Sequence, residues 1–137
     1  MKHFFLDTNI VLDVLLNRDP FSKEAQLLFE LGLQEKIKLY ISALSYTTIY
    51  YYIRKCFSSH EKAIAILKEI EQFIETIDVT KEMIHVSLNS DFKDFEDAVQ
   101  DFCAQSKNID ALITRNAKDF KNSKLLILSP EEALAIL

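Results

Sequence analysis

Lys2-His3-Phe4-Phe5-Leu6-Asp7-Thr8-Asn9 decides how the chain is read, because a short apolar run stops there at a carboxylate, a hydroxyl and an amide. A strand buried on both faces of a parallel sheet shows this kind of unbroken apolar run. In open α/β sheets, ligands gather outside the carboxyl ends of the strands. Asp7 therefore stands where such a fold keeps its chemistry. A plainer role competes, since Asp7, Thr8 or Asn9 can N-cap the helix that begins near Ile10. What favours chemistry is the recurrence of acids at the ends of later elements.

Beyond Asn9, Ile10, Val11, Val14 and Leu15 recur at helical spacing and stop near Asn17-Arg18-Asp19-Pro20. Pro20 is expected to open a second helix, where proline is tolerated in the first turn, and Gly32 to mark its end. Ile37-Lys38-Leu39-Tyr40-Ile41 alternates like a strand at the outside of a sheet. Ser42 can cap a helix from about Ala43 to Phe57, and a fourth helix runs from about His60 to Phe73. Glu75–Val79 reads as a weak strand, and Thr80 caps a helix carrying Met83, Ile84 and Leu88.

Asp94 starts the next helix, with Phe95, Ala98, Val99, Phe102 and Cys103 on one stripe. Ile109–Ile113 and Leu125–Leu128 read as strands, and Ser129-Pro130-Glu131 opens a last helix with its cap and a proline at the first position. Strands alternating with helices predict right-handed crossovers and a mostly parallel sheet of four or five strands, covered on both faces.

With 137 residues, 49% of them hydrophobic and 27% charged, the chain fits a single domain over 1–137 with a real core. One glycine and two prolines exclude a glycine-rich phosphate loop. No apolar stretch reaches bilayer-spanning length and no signal peptide is visible, so a cytoplasmic protein is expected. Cys56 and Cys103 lack CxxC spacing and are expected to be buried free thiols. The formal charge of −5 argues against non-specific coating of nucleic acid, although a local basic rim around an acidic pocket remains compatible with it.

Three segments bring acids to element ends: Asp7, the group Asp94/Glu96/Asp97, and Asp119 after Thr114-Arg115-Asn116-Ala117-Lys118. Crowded carboxylates raise one another's pKa values, and hard divalent cations such as Mg²⁺ or Mn²⁺ relieve that repulsion through oxygen ligands. Such a site can activate water for phosphodiester hydrolysis. Against this, Asp94 is a natural N-cap, and Glu96 and Asp101 can be plain solvated charges.

Phe5-Leu6-Asp7-Thr8-Asn9 resembles the opening of the PIN-domain family. Ile41-Ser42-Ala43-Leu44-Ser45, Asp94-Phe95-Glu96-Asp97-Ala98 and Leu112-Ile113-Thr114-Arg115-Asn116, followed by Lys118-Asp119-Phe120, resemble its later motifs in the same order. The resemblance covers almost the whole chain. It implies a three-layer α/β/α sandwich and a Mg²⁺- or Mn²⁺-dependent ribonuclease of the kind that serves as the toxin of a VapBC-type toxin–antitoxin pair. It also implies an RNA substrate, an antitoxin partner and a homodimer. Asp7 would be the first metal ligand and Asp97 the third acid, with Asp119 a further ligand, Glu96 assisting, and Asn9, Thr48, Thr114 and Asn116 in support.

Two positions depart from the family pattern. Thr48 stands where many members carry a glutamate, and Asn116 where some carry an aspartate, with Asp119 three residues on. Glu96 is the obvious substitute for the missing acid. Thr48 also supports a reading of another class, an inactive PIN-like module that binds RNA or protein without cutting. Arg115 and Lys118 could grip phosphates. Tyr46, Tyr50, Tyr51 and Tyr52 suit stacked bases or, more simply, core or dimer packing, with some phenols left exposed. His3, His60 and His85 are scattered and are assigned no catalytic role.

Overall fold

Alternation along the central strands assigns each helix to one face of the sheet. In the computed structural model, which describes residues 1–137, strand β1 (Lys2–Leu6) sends Phe4 and Leu6 to one side and Phe5 to the other. The same split separates Leu39 and Ile41 from Tyr40 in β2 (Ile37–Ser42), and Ala111 and Ile113 from Leu112 in β4 (Ala111–Ile113). The first face packs against α1 (Thr8–Leu15), α2 (Ser22–Leu33), α3 (Ser45–Phe57), α4 (His60–Phe73) and α7 (Pro130–Ala135). The second packs against α5 (Lys81–Leu88), α6 (Phe95–Gln105) and a 3₁₀ turn, Ala117–Phe120.

All five strands, including β3 (Ile74–Ile77) and β5 (Ile127–Leu128), run parallel in the order β3-β2-β1-β4-β5. The chain steps from β1 outward to β2 and β3, then jumps back across to β4 on the other side of β1. A right-handed crossover in the reversed direction places its helices on the opposite face. That is why α5 and α6 are the α-helices that cover the second face. The gap between β1 and β4 is the point where the winding reverses, and such switch points open a crevice at the carboxyl ends of the strands.

The α/β/α architecture and the parallel sheet match the expectation, with four local corrections. Strand β2 is internal, hydrogen-bonded to β1 on one side and β3 on the other. Its alternation misleads because only Lys38 is exposed and Tyr40 is buried on the second face. Pro20 lies in the turn before α2, which begins at Ser22. Helix α3 begins at Ser45 rather than Ala43, with Ser42 Oγ accepting from Leu44 N–H at 3.1 Å in the preceding turn. Cys103 is buried, but Cys56 is exposed on the last turn of α3.

Helices α4, α5, α6 and α7 are capped by Ser59, Thr80, Asp94 and Ser129, each accepting a backbone N–H with its side chain. None of the helices is long and apolar enough to cross a membrane.

Candidate active site

Asp7 follows β1 directly and is 4% exposed. Its carboxylate does two jobs. It caps α1 by accepting a long 3.4 Å hydrogen bond from Asn9 N–H, and it faces the crevice between β1 and β4. Thr114 Oγ1, just past β4, donates to Asp7 Oδ2 at 2.8 Å, and Gln100 Nε2 donates to Oδ1 at 3.1 Å. Burial raises the Asp7 pKa against these neutral donors and the nearby Arg115 charge.

Gln100 is 2% exposed and satisfied at both ends. While its amide N–H holds Asp7, its carbonyl oxygen accepts from Thr8 N–H at 2.9 Å and Thr8 Oγ1 at 3.1 Å. Thr8 Oγ1 also lies 2.8 Å from Ser45 Oγ at the start of α3. A buried network of this kind fixes rotamers on three elements that converge from both faces of the sheet.

The first turn of α6 supplies the other acids. Asp94 Oδ1 accepts from Asp97 N–H at 3.0 Å, so the capping role expected for it is present. Glu96 Oε2 accepts from Thr48 Oγ1 at 3.2 Å and, at 3.4 Å, shares the single Thr8 Oγ1 proton with Gln100 Oε1, and burial leads the causes that raise its pKa. Asp97 is pushed up to about 7, first by burial and then by the charges of Asp94, Asp7, Asp119 and Glu96. Glu96 is thus half-buried rather than a free solvated charge. Asp101 is buried as well, with Gln105 Nε2 on Oδ2 at 2.7 Å and no partner on Oδ1.

Asp119, in the 3₁₀ turn, lines a cleft of 300 Å³ with Asp94 and Asp97, and the lysines Lys93, Lys118 and Lys121 rim the same cleft. Asn116 donates its backbone N–H to Thr114 Oγ1 at 3.1 Å, which orients that hydroxyl toward Asp7. The acids stand near enough to feel one another, yet no three acidic, histidine or cysteine side chains close into a tight cage.

A PIN-domain family model matches residues 3–118. The chain belongs to the PIN-domain family. This PIN domain is 28% identical over 133 residues to Ribonuclease VapC1 of Aquifex aeolicus, a match spanning 93% of this chain and 90% of that one. Its fold is similar to a chain of VapBC2 from Rickettsia felis bound to a promoter DNA fragment, with TM-score 0.67 and 20% identity over 93% of this chain and 97% of the other. It is also similar to VapBC-1 from nontypeable Haemophilus influenzae, with TM-score 0.65 and 20% identity over 94% and 98% of the two chains.

The PIN domain gives Arg115 a different job from the phosphate contact expected of it. Its Nε and one terminal nitrogen bind Asp13 at 2.8 and 3.2 Å, and its guanidinium lies 4.0 Å over the Phe21 ring. Asp13 is fully buried on α1, with Arg18 a second cation at 3.6 Å. Asp13, Ser45 and Gln100 are residues that motif reading missed. Asp13 breaks an otherwise apolar stripe with Ile10 on α1, and Gln100 shares a helix face with Glu96 and Asp97 at spacings of four and three. Both signals were legible, but their partners lie about a hundred residues away in the chain.

The donor set fits a hard divalent cation. It consists of carboxylate oxygens, burial and then mutual repulsion push Asp97 up to about 7, and the arginine beside Asp7 is committed to Asp13. Mg²⁺ ordinarily keeps several waters and uses one or two protein carboxylates, so an open array suits it better than a closed cage.

Removing the Gln100 amide isolates its contribution. Gln100→Leu is expected to weaken Mn²⁺ binding by about 10–100-fold, the usual cost of losing a side chain that orients a ligand. Titration calorimetry reads this directly, and unchanged affinity would show that Asp7 needs no such support.

Proposed function

We propose that this PIN domain is a metal-dependent endoribonuclease, the toxin of a toxin–antitoxin pair. The observation that carries the reading is the array of carboxylates beside the carboxyl ends of β1 and β4, none of them in an ion pair, in which Asp97 is pushed up to about 7 first by burial and then by its acidic neighbours. Asp7, Asp97 and Asp119 would hold Mg²⁺ or Mn²⁺, with Glu96 assisting. The cation, when bound, supplies charge that polarises the phosphodiester and lowers the pKa of water.

The chain's own groups do the rest. Thr114 and Gln100 hold the Asp7 carboxylate in one orientation, Thr48 and Thr8 hold Glu96, and Lys118 offers phosphate charge with Lys93 and Lys121 beside the acids. The short link from Thr48 to Glu96 supports Glu96 as the acid that fills the place left by the missing glutamate. The test is cleavage of single-stranded RNA with and without Mn²⁺. Cleavage only with the ion supports the nuclease. Binding without cleavage at any ion concentration supports the non-cutting module that Thr48 favours.

The relatives solved as VapBC assemblies support an antitoxin partner for this chain. A basic or C-terminal antitoxin segment entering the acidic cleft would neutralise its carboxylates and block cation entry. Tyr51 and Tyr52, exposed and stacked edge to face on α3, support a homodimer through that helix. Light scattering at high concentration should give twice the chain mass, and a clean monomer would refute the dimer.

A further inference from the structure

The first turn of α6 divides two clefts of opposite character. On one side lies the cleft already described, where Asp97 and Asp119 face Lys93, Lys118 and Lys121. On the other lies a 280 Å³ pocket between the starts of α3 and α6, lined by Leu44, Ser45, Thr47, Thr48, Phe95 and Glu96. Its only charged group is Glu96. Phe95 and Leu44 leave 47% and 42% of their surface in solvent at its walls. Phe95 stands at the first position of the helix, one residue from a half-buried acid, and belongs to neither hydrophobic core.

We propose that this pocket is a nucleobase subsite, in which an unstacked base of the RNA lies against Phe95 while the adjoining phosphate reaches the acid-and-lysine cleft. The proposal rests on the nuclease reading and deepens it. A nucleotide has an anionic end and a flat, apolar end with a hydrogen-bonding edge, and the two clefts supply one environment for each.

Aromatic side chains are the usual platform for bases splayed out of single-stranded RNA. The polar edge is present as well. Thr47 Oγ1 donates to Leu44 O at 2.8 Å and keeps its acceptor lone pairs. Both hydrogen bonds that Glu96 receives go to Oε2, which leaves Oε1 open to a base N–H. Two of the hydroxyls that line the pocket, Thr48 and Ser45, also tether Glu96 and Thr8, so a base seated there lies beside the groups that position the acids.

The experiment uses the full chain, an eight-nucleotide single-stranded RNA carrying a 5′ fluorophore, and no divalent ion, so that binding is read apart from cleavage. Phe95→Ala should weaken binding by about tenfold, within the range found when a base loses its aromatic platform. Phe95→Trp should bind as well as wild type. The same RNA with one 2-aminopurine should lose fluorescence on binding wild type, and less on binding Phe95→Ala.

With Mn²⁺ added, Phe95→Ala should raise KM and leave kcat nearly unchanged. Equal RNA affinity of Phe95→Ala and wild type, at equal melting temperature, would overturn the subsite and leave the nuclease reading standing. A wild-type protein that neither binds nor cuts RNA would overturn both.

Discussion

Asp7→Asn is expected to abolish Mn²⁺ binding and to reduce RNA cleavage by on the order of a thousandfold, the equivalent of several kilocalories of lost electrostatic stabilisation. The substitution is nearly isosteric, and asparagine caps helices as well as aspartate does. Its amide oxygen can still accept from Asn9 and Gln100, and its amide nitrogen can donate to the Thr114 hydroxyl, so the fold should survive.

The effect on stability without metal has a definite sign. Burial raises Asp7, and burial with four neighbouring acids raises Asp97 from an ordinary 3.8 to about 7. An acid whose folded pKa is raised stabilises the fold below its unfolded pKa and loses that contribution as pH rises through the folded value. The metal-free wild type should therefore melt lower at pH 8 than at pH 5, with most of the Asp97 part of the loss between about 4 and 7. Divalent ions should restore the loss at pH 8.

Asp7→Asn removes one of the charges acting on Asp97 as well as its own. Its melting temperature should depend less on pH and should not respond to Mn²⁺. Differential scanning fluorimetry at the two pH values decides this, and an equal Mn²⁺ response in both proteins would remove Asp7 from the metal site.

Arg115→Ala should cost about 3 kcal/mol of stability, because it leaves a fully buried Asp13 with only Arg18 at 3.6 Å. For a domain of this size, that corresponds to a fall in melting temperature of roughly 10 °C. The two-pronged geometry matters, so Arg115→Lys should recover only part of the loss. Asp13→Leu in the Arg115→Ala background should recover more, since removing both partners leaves no orphaned charge. A melting temperature within two degrees of wild type for Arg115→Ala would show that Arg18 alone compensates Asp13. The prediction concerns stability, because it follows from the pairing of Arg115 with the buried Asp13.

What could be read in advance divides along the range of the forces involved. Local signals place α4 at His60–Phe73 and the capped starts of α5, α6 and α7 where the sequence puts them, because capping and stripe periodicity act within a few residues. The rank of β2 in the sheet depends on pairing with β3, more than thirty residues on, and its own alternation cannot report that. The motif acids lie beside the crevice they suggested. The roles of Asp13, Ser45 and Gln100 come from partners 37 to 102 residues distant, which no local pattern encodes. Arg115 shows the hazard of the reverse inference, since a cation after a strand end suits a phosphate equally well until Asp13 is seen beneath it.

The jump from β3 back to β4 also governs when the site can exist during synthesis. A ribosome releases β1, β2 and β3 in the order in which they pair, so three of the five strands can condense while the later two are still unmade. Asp7 is present throughout that period, but it has neither Gln100 nor Thr114 to hold it and no α6 acids beside it. The crevice is therefore among the last features to assemble, and it closes only when β4 docks against β1. A chain that stops short of β4 lacks this arrangement, and the greater part of translation is over before the acids can come together.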